Sequence, residues 1–351
     1  MIVAPLRHTV NDGEISDAIA KAVSYLAKAQ LPDGSFRAFT SFRPEMDDEG
    51  IADPSVFPTA LIAQSISGID GTQHIVDCAI DYLLRERTKA GLWRHWPREH
   101  PQFHTLPADV DDSCCVSAVL VRHGRQGASD PALLLANRDR QGRFLTWFTP
   151  RWRWRGWQHG RVTLAHLLHP IILTFFFKKT SAAPGDVDAG VNANALHYLG
   201  AYRGHLSVVG YLLSILRAAS EADADKWYDN RFKLWYLLAR ALVPLSKEAA
   251  PLILARMATV RPVSSLEKAL AISTKLRCGA VPEAAEIAEL LASQAEEGSW
   301  RRASVYFGGR ERRRDGTLAP AHPDTPRWGS EELTTGYAIE ALYFWLHREV
   351  A

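Results

Sequence analysis

Apolar residues recur at helical spacing along almost the whole chain, and the alternation typical of strands is nearly absent. Each periodic stretch is ten to eighteen residues long and is bounded by the Pro, Gly or Asp residues that begin and end helices. No Asn-Gly or Asp-Gly turn joins two alternating runs, so no β-hairpin is indicated. The pattern predicts an all-α protein with helices over 15–30, 56–67, 73–86, 111–123, 190–203, 205–219, 226–243, 247–259, 264–277, 282–294 and 331–347.

A short turn made of a glycine, one further residue and an aromatic residue follows several of these helices. It reads Gly34-Ser-Phe36, Gly91-Leu-Trp93, Gly142-Arg-Phe144 and Gly298-Ser-Trp300. The glycines are 57, 51 and 156 residues apart, which corresponds to a repeat about every 52 residues. That period fits a helical hairpin with its connections. Six hairpins account for residues 1–351, so we expect a single domain that forms a closed (α/α)6 barrel.

The composition of the chain argues against several kinds of function. The chain has 41 Lys and Arg against 39 Asp and Glu, and its net charge of +2 gives no electrostatic basis for binding nucleic acid. The four cysteines form no C-x-x-C pair, which argues against a zinc site and a disulfide framework. The first residues lack the pattern of a secretory signal, so we expect a cytoplasmic protein with reduced thiols.

The most apolar segment runs from Val162 to Phe177. It is interrupted by His166, His169 and Pro170, and it falls short of the eighteen residues that a membrane-spanning helix needs. The segment predicts either a buried helix or a surface that docks on a membrane.

Three carboxylates within four residues open one predicted helix, at Asp109-Val-Asp111-Asp112. A single Asp suffices to cap a helix N-terminus, and three side by side repel one another. This tetrad is therefore a candidate for acid–base chemistry as well as for capping.

The tetrad, together with the Q-x-x-x-G-x-F/W turns at Gln30–Phe36 and Gln294–Trp300, resembles the class II terpene cyclases, which are squalene–hopene cyclase-like proteins built on α/α barrels. The family usually has Thr after the tetrad, where this chain has Ser113. The resemblance implies an isomerase of isoprenoid biosynthesis that protonates a linear polyprenyl or prenyl diphosphate substrate and lets the cation close rings. Most members place the site between two barrels. With a single barrel, the cavity is closed by the barrel itself, by a second copy in a homodimer, or by a lid from another protein or the membrane.

The resemblance also implies roles for individual residues. In the family the middle Asp donates the proton, which corresponds to Asp111, and Asp109 and Asp112 would position it. A carboxyl group in an apolar barrel keeps its proton more readily than in water, which suits protonation of so weak a base as an alkene. A polar residue across the cavity orients the acid or removes the final proton, and Asn194 is the candidate for that role.

Aromatic residues are abundant, with 11 Trp, 10 Tyr and 13 Phe. Aromatic faces attract a carbocation without reacting with it, by about 1–2 kcal/mol each when desolvated. The predicted substrate-binding residues, all near the expected starts of inner helices, are Phe57, Trp93, Trp96, Trp147, Tyr198, Trp328 and Tyr337.

Whether the reaction needs a metal cofactor depends on the head group of the substrate. We expect none, apart from Mg²⁺ if the substrate is a diphosphate. In that case basic residues should gather at the mouth of the barrel, and the candidates lie at 151–155, 178–179 and 310–314.

Other interpretations stay open. The barrel also resembles the β subunit of protein prenyltransferases, whose zinc is held by a D-x-C pair and a late His. Asp112-Ser113-Cys114 matches the pair, but the late helix from Glu331 to Tyr337 contains no His, so no metal site is predicted. A non-catalytic helical toroid with the tetrad as a cap, and a carbohydrate-active barrel with two catalytic carboxylates, are the remaining alternatives.

Overall fold

Helices account for about half of the chain in the computed structural model, which describes residues 10–150, 157–168, 170–228 and 230–348. The helices are α1 (Asp12–Ala29), α2 (Val56–Ile66), α3 (Gln73–Glu86), α4 (Val110–Arg122), α5 (Pro131–Ala136), α6 (Trp157–Leu168), α7 (Pro170–Lys179), α8 (Ala189–Leu199), α9 (Leu206–Ala218), α10 (Glu221–Ala224), α11 (Arg231–Leu242), α12 (Ala249–Met257), α13 (Ser265–Arg277), α14 (Ala284–Ala292) and α15 (Glu331–Leu346). The strands are β1 (Phe39–Ser41), β2 (Ile51–Ala52), β3 (Tyr306–Phe307) and β4 (Arg327–Gly329).

Six helices of the described chain form a closed series of neighbours. In the order α2, α4, α8, α11, α13 and α15, each packs against the next, and α15 packs against α2. Every residue of α2 is buried, and more than half of the residues in each of the other five helices are buried. A second set packs against this series, with α1 on α15, α3 on α2, α9 on α8, α12 on α11 and α14 on α13. Helix α1, in the second set, is amphipathic and buries one face only.

The glycine turns tie the two sets of helices together. After each turn, the backbone N–H of the aromatic residue donates to a polar side chain on one of the six helices in the series. The pairs are Phe36 with Thr59, Trp93 with Ser113, Phe144 with Asn192 and Trp300 with Thr335, at 2.8 to 3.1 Å. The glycine is required at Gly34, where φ is 87° and an added Cβ would lie 2.2 Å from the Cys78 carbonyl oxygen.

The prediction of an all-α chain is wrong in one respect, because the connecting loops form a small antiparallel sheet. Its strand order is β2-β1-β4-β3, and Tyr306 on β3 pairs with Trp328 on β4. Strands of two or three residues are too short for an alternating pattern to be recognised in the sequence. The sheet connects the loop after α1 with the loop before α15.

The helix predicted over 226–243 begins later, at Arg231. The carboxylate of Asp225 accepts hydrogen bonds from the backbone N–H groups of Trp227 and Tyr228, at 2.8 and 3.0 Å, and these bonds hold the chain in a turn. Asn230 then caps α11. Both Trp227 and Tyr228, in this turn, line the cavity described below.

The apolar segment from Val162 to Phe177 is not one buried helix. Its residues in the described part of the chain lie on α6 and α7, and position 169 between these helices lies outside the described residues. Several of its apolar side chains are more than half exposed, namely Leu164, Leu167, Leu168 and Phe175. The prediction of a buried helix is therefore wrong. Separately, no helix in the described ranges is long and apolar enough to cross a membrane.

Candidate active site

The acidic tetrad lies at the N-terminus of α4, where Asp109 is the capping residue. The backbone of Asp109 is extended, and its Oδ1 accepts a hydrogen bond from the backbone N–H of Asp112 at 2.7 Å. Asp111 and Asp112 occupy the first helical turn. The cap uses Asp109, and the side chain of Asp111 takes no part in it.

Both carboxyl oxygens of Asp111 have hydrogen-bond partners from other elements. The side-chain amide of Asn194, on α8, donates to Oδ1 at 2.5 Å. The hydroxyl of Tyr228, in the turn before α11, donates to Oδ2 at 2.5 Å. Three separate segments of the chain thus fix the orientation of this one carboxyl group.

The orientation of the Asn194 amide is set by a buried guanidinium. Arg240 on α11 donates to the amide oxygen of Asn194 and also to the side-chain oxygen of Gln64 on α2. Since Arg has no acceptor, the oxygen of Asn194 must face Arg240 and its NH₂ group must face Asp111. Oδ1 of Asp111 is therefore an acceptor, and a proton on this carboxyl group belongs on Oδ2.

Burial raises the pKa of all three carboxyl groups. For Asp111 the rise is opposed by the hydrogen bonds from Tyr228 and Asn194. Burial, with repulsion from Asp111, raises the pKa of Asp109 to about 7, and burial with repulsion from both neighbours raises the pKa of Asp112 well above its usual value. Raised pKa values favour the protonated state that a carboxylic acid catalyst needs.

Replacing Asp112 with Asn is expected to flatten the pH dependence of stability above about pH 4. The raised pKa of Asp112 means that the folded state keeps a proton which the unfolded chain has released. The free energy of unfolding therefore falls as pH rises through this range, by up to about 1.4 kcal/mol per pH unit, until the folded-state pKa is passed. Urea unfolding of both proteins across this range measures the slopes. If the free energy of unfolding changed with pH equally in the wild type and the variant, Asp112 would carry no such proton.

Asp111 faces a cavity of about 880 Å³, a size typical of sites for small molecules. All three acidic residues of the tetrad contribute to the lining, but Asp109 and Asp112 are only 7% and 3% exposed, whereas Asp111 is partly exposed. Within the tetrad, Asp111 is therefore the carboxyl group that a bound molecule can reach.

Aromatic side chains line much of this cavity. Four of the predicted substrate-binding residues are among them, namely Phe57, Trp96, Trp147 and Trp328. The indole rings of Trp147 and Trp227 meet edge to face with centroids 5.4 Å apart, and Phe176 packs against Trp147 at 5.1 Å. The wall is thus a set of mutually supported rings.

Three predicted substrate-binding residues do not line the cavity. The indole N–H of Trp93 donates to a backbone carbonyl of α3 at 2.6 Å, and the hydroxyl of Tyr198 donates to a loop carbonyl at 2.7 Å. Tyr337 is buried against Tyr236, with ring centroids 5.4 Å apart. These rings pack between helices, and the structure assigns them to the core rather than to the wall of the cavity.

Several residues of the site are not predicted from the sequence. Tyr228 and Trp227 fell inside a helix predicted over 226–243, although the Asp and Asn residues around them signal a turn. Tyr306 lies on β3, for which no strand was predicted. Asp53 lines the cavity two residues before the capping Ser55 of α2.

The described residues contain no group of three or more His, Cys, Asp or Glu side chains arranged to hold a metal ion. Of the basic residues proposed for a head group, Lys178, Lys179 and Arg310 line the cavity. Positions 151–156, which include three of the candidate arginines, lie outside the described residues.

No family model matches the sequence, and no curated protein is significantly similar to it. Solved structures are similar in fold. A variant of the type II terpene cyclase MstE from Scytonema, in complex with geranylgeranyl dihydroxybenzoate, has a TM-score of 0.65 at 16% identity, covering 96% of this chain and 99% of that one. A protein from Actinoplanes has a TM-score of 0.62 at 18% identity, covering 94% and 99%. The chain has the fold of a type II terpene cyclase.

Proposed function

We propose that this protein is a class II terpene cyclase whose active site lies inside an (α/α)6 barrel formed by the two sets of helices. Asp111 protonates a linear isoprenoid, and the resulting cation closes the rings. The observation that carries the proposal is the setting of Asp111, a carboxyl group with a raised pKa between two hydrogen-bond donors at the wall of an aromatic cavity. The fold shared with a terpene cyclase supports the same class of reaction.

The proton passes from Oδ2 of Asp111 to the less substituted carbon of the terminal double bond. The π electrons of that bond form the new C–H bond and leave a tertiary cation, and Asp111 becomes a carboxylate. Asn194 and Tyr228 then donate to its two oxygens, which stabilises the negative charge as it develops. Neighbouring double bonds attack the cation in turn. The last cation loses a proton to solvent water, and Asp111 takes up a proton from water before the next turnover.

The substrate would enter with its hydrocarbon tail first. Exposed residues at the rim of the cavity include the adjacent lysines Lys178 and Lys179, which suit an anionic head group. Arg310 is less available, since its guanidinium donates to the backbone carbonyls of Ala222 and Asp225. The chemistry at Asp111 calls for no cofactor, and Mg²⁺ would serve only to accompany a diphosphate.

The test is incubation of the purified protein with a panel of linear prenyl diphosphates and non-phosphorylated polyprenoids. Products are separated and analysed by mass spectrometry and NMR for ring count and retention of the head group. We expect cyclised products that keep the head group. The absence of a cyclised product from every member of the panel would contradict the proposed function.

The exposed apolar surface of α6 and α7 fits an anionic membrane. The segment 157–179 contains Arg161, Lys178 and Lys179 and no acidic residue, and Trp157 at its start is 64% exposed. A symmetric contact between two copies would bring like charges together, whereas anionic lipid head groups would pair with them. Since Phe176 and both lysines line the cavity, an isoprenoid could pass from the lipid to the site.

Changing Trp157, Leu167 and Leu168 together to Ser is expected to weaken binding to vesicles by about tenfold or more. Co-sedimentation with phosphatidylcholine vesicles, with and without phosphatidylglycerol, measures the effect. A variant with Val263 and Val281 changed to Ser, both exposed elsewhere, is the control and should bind like the wild type. Failure of the wild type to sediment with anionic vesicles would exclude this surface as a membrane contact, and a concentration-dependent dimer lost in the triple variant would indicate a second copy instead.

A further inference from the structure

A second acidic side chain, Asp53, lines the same cavity as Asp111 and is surrounded by hydrogen-bond donors. The indole N–H of Trp96 donates to its Oδ1 at 3.1 Å, and the indole N–H of Trp328 donates to its Oδ2 at 2.7 Å. The hydroxyl of Thr40 donates to Oδ2 at 3.2 Å, and Nε2 of His100 lies 3.3 Å from Oδ1. One carboxylate thus fixes the orientation of two indole rings in the wall of the cavity.

The rings around Asp53 form a continuous assembly. Tyr306 stacks on Trp328 with centroids 5.5 Å apart, and Trp96 stacks on His100 at 5.2 Å. His95 meets both Trp96 and Trp328 edge to face, at 5.2 and 5.5 Å. We use the name Asp53 box for Asp53 with Trp96, Trp328, Tyr306, His95 and His100.

Asp53 is the only carboxylate in the Asp53 box, and its ion-pair partner among the described residues is the imidazole of His100, at 3.3 Å. No Lys or Arg among the described residues forms an ion pair with Asp53. Burial lowers the pKa of His95 to about 4, so His95 is neutral near pH 7 and does not offset the carboxylate. Each indole that donates its N–H to the carboxylate becomes richer in electrons, because hydrogen-bonded groups polarise one another. Electron-rich rings beside a carboxylate that no Lys or Arg neutralises are the combination that attracts an organic cation.

We infer that the Asp53 box is a cation-binding site of the cavity, which takes an organic cation such as a quaternary ammonium group. In the reaction proposed above, on which this second part rests, the box holds the carbocation after ring closure has moved the charge away from Asp111. Asp53 is then a positioning residue that determines how far cyclisation proceeds before the cation loses its proton.

Binding is tested with decyltrimethylammonium and, as a net-neutral probe of nearly the same shape, decyldimethylamine N-oxide at about pH 8. Affinities are measured by calorimetry, in the wild type and in an Asp111→Asn background where Asp111 cannot attract the cation. We expect the ammonium probe to bind about tenfold more tightly than the N-oxide, and Asp53→Asn to remove that preference while leaving N-oxide affinity within about twofold. Asp324→Asn, at the exposed rim of the same cavity, is the control and should keep the preference.

Two outcomes would overturn the inference. A preference that survives Asp53→Asn would place the cation elsewhere, and an equal loss of affinity for both probes would give Asp53 a merely structural role. Trp328→Phe, which keeps a ring but loses the N–H donor, provides a second variant and should weaken the preference in the same direction.

The link to catalysis is tested separately, with whichever substrate the wild type cyclises. Asp53→Asn is expected to shift the products towards compounds with fewer rings while consumption of the substrate continues. An unchanged ratio of products would contradict that link. Failure of the wild type to cyclise any substrate would instead contradict the proposed function and leave the binding result standing.

Discussion

Replacing Asp111 with Asn is expected to abolish cyclisation, lowering turnover by about 10³-fold or more. An amide has no proton acidic enough for an alkene, and the raised pKa values of the neighbouring carboxyls do not place their protons in the cavity, because Asp109 and Asp112 are almost completely buried. Folding should survive, since Asn is nearly the same size and relieves repulsion between the carboxyl groups. Turnover is measured with the best substrate of the panel, and unfolding by circular dichroism.

Asp130→Asn is the matched control for this variant. Asp130 caps α5 in the same way that Asp109 caps α4, and Asn caps a helix equally well. Activity of the control should equal that of the wild type. An Asp111→Asn protein that is folded and retains its activity would show that the tetrad is only a helix cap.

Replacing Tyr228 with Phe is expected to lower kcat by about 10²-fold with little effect on KM. The variant loses the donor to Oδ2 of Asp111, which is needed most when the carboxylate forms. That hydrogen bond also lowers the pKa of Asp111, so its loss raises the pKa further. Because the acid is active when protonated, activity is lost as pH rises through this pKa. The alkaline limb of the pH–rate profile should therefore move to higher pH in the variant.

Tyr198→Phe provides the comparison, because Tyr198 donates to a backbone carbonyl and does not line the cavity. The alkaline limb of the pH–rate profile of Tyr198→Phe should lie at the same pH as that of the wild type. A Tyr228→Phe enzyme with an unchanged limb and unchanged kcat would remove Tyr228 from the acid site. A loss of kcat without a shift of the limb would assign it to packing alone.

The sequence was most informative where function depends on local spacing. The glycine turns could be recognised because each needs a positive φ and a nearby aromatic residue, which is a local requirement. The tetrad could be recognised because three adjacent carboxylates exceed what a cap needs. Asn194 is the residue that the resemblance implies as a partner of the acid, and in the structure its side-chain amide donates to Asp111.

What the sequence could not provide depends on contacts between distant segments. Tyr228 reaches Asp111 only because Asp225 holds the preceding turn, and a helical apolar pattern concealed that turn. Asp53 meets Trp328 across most of the length of the chain, through strands too short to be predicted. Of the aromatic residues predicted to bind substrate, some line the cavity and others pack in the core. Their positions along the chain do not determine which way each ring faces.

The central claim is that cyclisation begins with a proton from Asp111, and the most direct measurement is the reaction in D₂O. The substrate is the panel member that the wild type converts, and the product is analysed by mass spectrometry and NMR. Our account predicts one deuterium in each product molecule, at the ring methylene that derives from the less substituted carbon of the terminal double bond, with the head group retained and no product from Asp111→Asn. A cyclised product without deuterium at that position, or one that has lost its head group, would contradict it.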